Sequence, residues 1–247
     1  MTDQWAEVQA VAETWNPERI LHWAFNTFHE DIALASAFGA EGVVLIDLAS
    51  RVCPDFRLFT LDTEFLFPET YDLMERVEKR YNIRVERVYS ELTPEEQDQL
   101  HGPALWSRNP DHCCSLRKIE PLRKKLAGLR AWATAIRRDQ TAARAGARKI
   151  EWDKKFHLLK INPLADWTYD RVWQYIRKHD LPYNPLHDRR YPSIGCTHCT
   201  RAVKPGEDPR AGRWSNFQKT ECGLHERDQQ PAASLVTIAR QPDWTET

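Results

Sequence analysis

Ile32-Ala33-Leu34-Ala35-Ser36-Ala37-Phe38-Gly39-Ala40-Glu41 is a short apolar run ending in serine and glycine, and Val43-Val44-Leu45-Ile46-Asp47-Leu48 resumes directly behind it. The first run has the length and composition of a buried strand, and the second reads as a helix after the glycine break. Strand, glycine turn and helix in that order open a parallel α/β sheet.

The pattern continues outward in both directions. Residues 18–29 form an amphipathic helical pattern upstream. Downstream, Phe56–Leu61 is a second strand, Pro68–Tyr81 a helix with Tyr71, Met74, Val77 and Tyr81 on one stripe, and Ile83–Tyr89 a third strand. Thr93-Pro94-Glu95-Glu96 has the cap, the proline and the glutamate of a helix start. Leu116–Leu126 is helical, Trp132–Ile136 and Phe156–Ile161 are strands, and Thr168 caps a helix through Ile176. The expected fold is a single α/β domain with a mostly parallel sheet flanked by helices. Beyond Leu181 proline, glycine and charge take over, so 1–203 is expected to be the folded domain and 204–247 a loop-rich, mobile C-terminal segment.

A chain of 247 residues can bury a proper core, and 41% hydrophobic with 29% charged residues fits a globular protein and not a disordered one. Met1–Ala12 lacks the basic start and apolar core of a signal peptide, and no stretch reaches the roughly 18–20 apolar residues of a membrane span. A cytoplasmic location with reduced thiols is the expectation, and six cysteines there read as ligands or catalysts before disulfides. The net charge of −1 hides an asymmetry. Residues 1–70 carry twelve acidic and three basic side chains, whereas residues 117–149 carry eleven basic and two acidic ones. Such a basic block suits a solvated face, a small polyanion or nucleic acid, in that order.

Several motifs sit where α/β sheets place their ligands. Ser36, Phe38 and Gly39 occupy the first strand-to-helix turn, where helix-start amides, a glycine and a hydroxyl make a phosphate cradle. Leu61 and Asp62 leave the end of the next strand. Asp62 also has the bland reading of a turn cap. Arg137-Arg138-Asp139-Gln140 with Arg144 places planar donor forks past another strand, suited to phosphate or sulfate oxygens.

The thiols carry the chemistry. Cys113-Cys114 and Cys196-Thr197-His198-Cys199 read as an iron–sulfur set before a zinc site, because a zero-gap pair fits a zinc knuckle poorly, and before buried core. Cys53, beside Pro54, reads as structural. Cys222 is flanked by Lys219 and His225, and Arg210 and Arg213 lie upstream. A cation near a thiol raises its thiolate fraction, which suits a nucleophile.

Together these segments, with Arg108-Asn109-Pro110-Asp111-His112-Cys113-Cys114-Ser115-Leu116-Arg117-Lys118 and Glu221-Cys222-Gly223-Leu224-His225, resemble the assimilatory adenylyl-sulfate (APS) reductases of the phosphoadenylyl-sulfate (PAPS) reductase superfamily. The likeness runs from about residue 30 to residue 227. It implies an adenine nucleotide alpha hydrolase-like fold and reduction of APS to sulfite and AMP, in sulfate assimilation and cysteine biosynthesis. Cys222 would attack the sulfur of the activated sulfate and hold it as an S-sulfonate, and a dithiol of thioredoxin or glutaredoxin type would release sulfite. Lys118, Arg144, Arg210, Arg213 and His225 match positions that contact phosphate or sulfate in the family, with Lys118 and His225 beside Cys222 in catalysis. Ser36, Phe38, Gly39, Leu61, Asp62, Arg137 and Lys219 complete the expected substrate site. A [4Fe-4S] cluster on Cys113, Cys114, Cys196 and Cys199 would orient and polarise the site without passing electrons.

The turn at Ser36 lacks the Ser-Gly-Gly pattern of ATP-cleaving relatives, which argues against a tRNA-thiolation enzyme of related fold. No C-terminal thioredoxin-like domain is expected, so the expected reductant is a separate protein. PAPS reduction or dual APS and PAPS use is the near alternative, and a zinc-stapled nucleic-acid-binding module the remote one. No nucleic-acid or membrane partner is expected. A homo-oligomer stays open.

Overall fold

The computed structural model describes residues 5–217, 219 and 221–225. In chain order, α1 (Ala6–Val11) and α2 (Pro17–Phe28) precede β1 (Ile32–Ala35), α3 (Ala40–Val52), β2 (Leu58–Asp62), α4 (Pro68–Tyr81) and β3 (Val85–Tyr89). Then come α5 (Pro94–His101), α6 (Leu105–Arg108), α7 (Pro110–Cys114), a π-turn (Ser115–Ile119), α8 (Glu120–Leu126), β4 (Ala131–Ala133), β5 (Ile150–Asp153), β6 (Leu158–Ile161) and α9 (Tyr169–Lys178).

The six strands form one sheet in the order β3-β2-β1-β4-β6-β5, parallel except for the antiparallel β5–β6 pair. Period-2 alternation splits the strand residues between two packed layers. Ile32, Leu34, Leu58, Ala131, Ala133, Leu159 and Ile161 join the large core with α2, α3, α4 and α9. Ala33, Phe59, Trp132 and Leu158 face the other way, under Leu122 and Leu126 of α8. Both faces are covered, as a parallel sheet requires. The mostly parallel α/β architecture read from the sequence is the one observed.

The helix starts follow local rules. Asn16, Thr93 and Thr168 each accept a first-turn N–H, and Thr93 with Glu96 closes a full capping box. On α4, Met74 and Val77 of the expected stripe are buried, while Tyr71 and Tyr81 donate their hydroxyls to Asp62 (2.7 Å) and Asp47 (3.0 Å).

Three elements depart from the sequence expectations. The helix placed at 116–126 begins earlier, because Asn109 accepts the His112 N–H and Pro110 takes the first helical position, and it changes winding at the π-turn. The strand expected over 132–136 ends at Ala133. The edge strand β5 went unread, since Ile150-Glu151-Trp152-Asp153 is short and polar, and its pairing to β6 alone makes it a strand.

From Lys204 to Phe217 there is no helix or strand, as expected of a loop-rich segment. That stretch nevertheless packs: Trp214 is buried, and Thr200 pairs with Arg213 in a β-bridge. The rest of the mobility expectation concerns 226–247, which lie outside the described residues. Among the described residues no helix is long and apolar enough to cross a membrane.

Candidate functional site

The carboxyl ends of β1, β2 and β4 open into a cavity of about 380 Å³. It lies at the switch point of the sheet, where β2 and β4 flank β1 and the loops diverge. Further walls come from Pro192–Gly195, from Asp208–Trp214, and from Cys222, Leu224 and His225.

Ser36 follows β1. Its N–H donates to the Phe59 carbonyl (3.0 Å) and its Oγ accepts from the Phe38 N–H (3.1 Å), which leaves the hydroxyl hydrogen for a ligand. Phe38 holds a left-handed backbone (φ 55°), a strained conformation for a non-glycine residue, and anchors it by burying its ring in the core. Gly39 precedes α3, and Gly39, Glu41 and Gly42 line the cavity at the helix start, where the first amides have no intrahelical partner. The close approach belongs to Gly42: a Cβ there would lie 2.5 Å from Ser36 Oγ, whereas one on Gly39 would meet only Glu41 Oε2 at 3.7 Å.

Of the expected substrate residues, Ser36, Gly39, Leu61, Arg137, Arg144, Arg210 and Arg213 line this cavity. Phe38, Asp62 and Lys219 do not. Phe38 is spent in the core. Asp62 is buried, accepting from Tyr71 OH (2.7 Å) and the Glu64 N–H (2.9 Å), which is the turn-cap arrangement. Lys219 pairs with the Asp111 carboxylate and lies over the Trp214 ring (5.4 Å), on the side of the thiols.

The cations divide into two groups. Arg137 donates to Glu41 (3.0 Å) and to Asp139, and Arg144 donates to Glu221 through Nε (2.9 Å) and Nη2 (2.7 Å), so both are neutralised within the chain. Lys118, Arg210 and Arg213 also line the cavity, and Arg210 lies 3.4 Å from Glu221 Oε2. Arg210 and Arg213 each donate to Ser193 Oγ at 3.3 Å, and Arg213 also to the Ile194 carbonyl (3.2 Å). Gly195 makes room for this: a Cβ there would stand 2.2 Å from Arg213 Nη2.

Lys118 lines both this cavity and a second one behind it, walled by Cys113, Cys114, Cys196 and Cys199 with Phe65, Trp106 and Trp214. The π-turn adds length to the helical turn between Cys114 and Lys118, which carries the lysine to the shared wall. Burial opposes its charge, but Cys196, Cys114 and Cys222 together outweigh that and hold the ammonium above the ordinary lysine range.

The four thiols are free of disulfides. Burial, and then the neighbouring thiols, push Cys113 up to about 12 and Cys199 up to about 11. Cys196 goes the other way: burial raises it, but Lys118, the Thr63 hydroxyl (3.3 Å) and Arg213 bring it below the usual thiol range. Among the described residues no three His, Cys, Asp or Glu side chains converge tightly enough for a single metal ion. A cubane spreads its thiolates over four corners, so four thiols around one void suit it better than a one-ion knuckle. The cation beside them offsets the charge of such a group. Arg117 Nη2, buried on the same wall with no partner, fits as a donor to it. The residues present therefore fit a [4Fe-4S] cluster. His198 stacks flat on Trp106 (4.5 Å, 5°) and takes no part in the thiol set.

Cys222 lines the large cavity with Lys118, Arg210 and Arg213. His225 stacks on Trp132 (5.8 Å, 17°), and burial, followed by Lys160, Arg144, Arg210 and Lys155, drives its imidazole well below the usual histidine range. It is neutral at physiological pH. Sequence reasoning had not singled out Glu221, Trp132, Lys155 or Arg117. Arg117 donates to Gln97 (2.8 Å), the Thr63 carbonyl (3.2 Å) and Glu64 (2.9 Å) and so fixes the loop behind β2. Only its place one residue before Lys118 in a basic run hinted at it.

Residues 31–202 match the model of the phosphoadenosine phosphosulfate reductase domain. The chain is 51% identical over 221 residues to the adenosine 5'-phosphosulfate reductase of Halalkalibacterium halodurans, covering 89% of this chain and 96% of that protein. It is 49% identical over 208 residues to adenosine 5'-phosphosulfate reductase 2 of Bacillus subtilis, covering 84% and 88%. Among solved structures, the phosphate complex of the phosphoadenylyl-sulfate reductase from Candida auris superposes with a TM-score of 0.72 at 31% identity, over 82% of this chain and 98% of that one. The FMN adenylyltransferase of Candida glabrata shares the fold alone, with a TM-score of 0.56 at 13% identity over 78% of this chain and 66% of that one.

Proposed function

The chain belongs to the phosphoadenosine phosphosulfate reductase family, and from that premise we propose that it reduces adenosine 5'-phosphosulfate to sulfite and AMP in sulfate assimilation, towards cysteine. The observation that carries this reading is the convergence of Cys222, Lys118, Arg210 and Arg213 on one cavity at the switch point of the sheet. The adenosine end would enter beside Ser36 and the start of α3, and the phosphosulfate would meet the fixed cations.

In the first step the Cys222 thiolate attacks the sulfonyl sulfur, an S–S bond forms, and the S–O bond to AMP breaks with its electron pair leaving on the AMP oxygen. Lys118, Arg210 and Arg213 stabilise charge on the sulfonyl and departing phosphate oxygens without having to reorganise. In the second step a thiolate of a thioredoxin or glutaredoxin dithiol attacks Cys222 Sγ and expels sulfite. Its second thiol then resolves the mixed disulfide and returns Cys222 reduced. The two electrons come from that dithiol. His225, buried and stacked on Trp132, supports the Cys222 turn.

Cys113, Cys114, Cys196 and Cys199 would hold a [4Fe-4S] cluster, which supplies a fixed charge that polarises the neighbouring site across Lys118. The thiol set favours APS over PAPS, with dual use as the alternative. A boundary near residue 203 divides a nucleotide and cluster domain from the segment that carries the nucleophile. We place the protein in the cytoplasm, where a dithiol partner stays reduced.

The test is anaerobic purification, iron and sulfide analysis, and sulfite release from APS and from PAPS with a reduced thioredoxin. Rapid release from APS with four irons per chain is expected. Preference for PAPS would reassign the substrate, and no release from either would overturn the reading.

A further inference from the structure

Glu221, the residue before the proposed nucleophile, is 4% exposed and has both carboxylate oxygens occupied. Oε1 accepts from Arg144 Nε (2.9 Å) and Thr141 Oγ1 (2.8 Å), and Oε2 from Arg144 Nη2 (2.7 Å) and Arg210 Nη2 (3.4 Å). Gln140 takes the remaining Arg144 Nη1 (2.6 Å). The guanidinium fork that resemblance assigned to phosphate or sulfate is thus filled by a side chain of the protein itself. Burial alone would push the Glu221 carboxyl up, but Arg144, Arg210 and Thr141 outweigh it and keep it ionised.

The other described contacts of this turn are weaker in kind. Lys155 Nζ donates to the Gly223 carbonyl (2.6 Å), Leu224 packs beside Trp132, and His225 stacks on Trp132. A bidentate carboxylate–guanidinium pair fixes orientation as well as distance, which single carbonyl or ring contacts do not. Glu221 is joined to Cys222 by a single peptide bond. The proposed cycle, on which this inference rests, asks two things of that sulfur: to lie against the substrate in one step and to meet an external dithiol in the next.

We propose that Glu221 is a positioning residue: docked on Arg144 and Arg210, its carboxylate holds Cys222 at the cavity for attack on the substrate, and its release turns the thiol outward to the reductant. Arg144 acts as the receptor for this anchor. Removing one partner of a buried pair leaves an uncompensated charge, so a change on either side weakens the docked arrangement.

The test uses anaerobically isolated full-length enzyme with Glu221→Gln, and Arg144→Lys as a second variant that keeps charge but loses the fork. Alkylation of Cys222 by iodoacetamide, read by peptide mass in enzyme without substrate, is expected to rise about tenfold in both. Single-turnover formation of the Cys222 S-sulfonate from APS should fall at least tenfold. Reduction of preformed S-sulfonate by dithiol should not slow, which a loss through misfolding would not spare. Glu221→Asp, which keeps the charge, should recover part of the first step. Alkylation and S-sulfonate formation both within twofold of the parent would overturn the proposal. If the parent forms no S-sulfonate yet the variants alkylate faster, the anchor stands and the proposed reaction falls.

Discussion

The large cavity and the thiol cavity meet at Lys118 and are built in opposite ways. The first is roomy, walled by small, aromatic and basic residues from the strand ends and from loops far apart in the chain. The second is closed in by Phe65, Trp106 and Trp214, and its thiols come from just two places, the end of α7 and the 196–199 turn. The contrast separates two uses of charge. In the thiol cavity, burial and then the neighbouring thiols hold Cys113 and Cys199 against ionisation. In the large cavity the positive charge is permanent, and Arg137 and Arg144 are paired with Glu41, Asp139 and Glu221, the last shared with Arg210. Counting basic residues in the sequence therefore overstates what an anionic substrate meets.

The comparison can be broken at four places. Cys222→Ser is expected to abolish turnover while visible absorbance and AMP binding stay as in the parent, because Cys222 lines only the large cavity. Near-parental sulfite release would remove it as the nucleophile. Cys113→Ser should bleach the absorbance and take activity with it, since damage in the thiol cavity reaches the substrate through Lys118. An unchanged spectrum would refute cluster ligation by Cys113. Lys118→Ala should lose ~2–4 kcal/mol of transition-state stabilisation, read as kcat/KM, while the protein keeps its colour. Parental kinetics would show that the shared wall carries no chemistry. Gly195→Ala should have the smallest effect, a several-fold rise in KM with little change in Tm. The added Cβ displaces only the end of Arg213, a flexible chain, from Ser193 and Ile194. An unaltered KM would take Arg213 out of substrate contact.

How far the sequence reached depended on the range of each interaction. The Thr93 and Thr168 caps act over three residues and are visible in the chain. The left-handed Phe38, by contrast, carries a motif residue's ring into the core, and only the packed structure shows that its side chain is unavailable to a ligand. Asp62 sits at a ligand-prone strand end, yet Tyr71, nine residues on, claims its carboxylate. Lys118 was legible as a residue four positions past Cys114, but its direction depends on a π-turn that no local pattern announced.

By itself the sequence determined the alternation of strands and helices, the cysteine sets and the strand-end loops, because each is written in short periodic patterns or adjacent residue types. The tertiary structure alone decided which charges are spent and which are offered. Arg144 and Glu221 lie 77 positions apart, and an ion pair over that distance leaves no local signature, since only the folded backbone brings the two side chains within reach and excludes the water that would otherwise screen them.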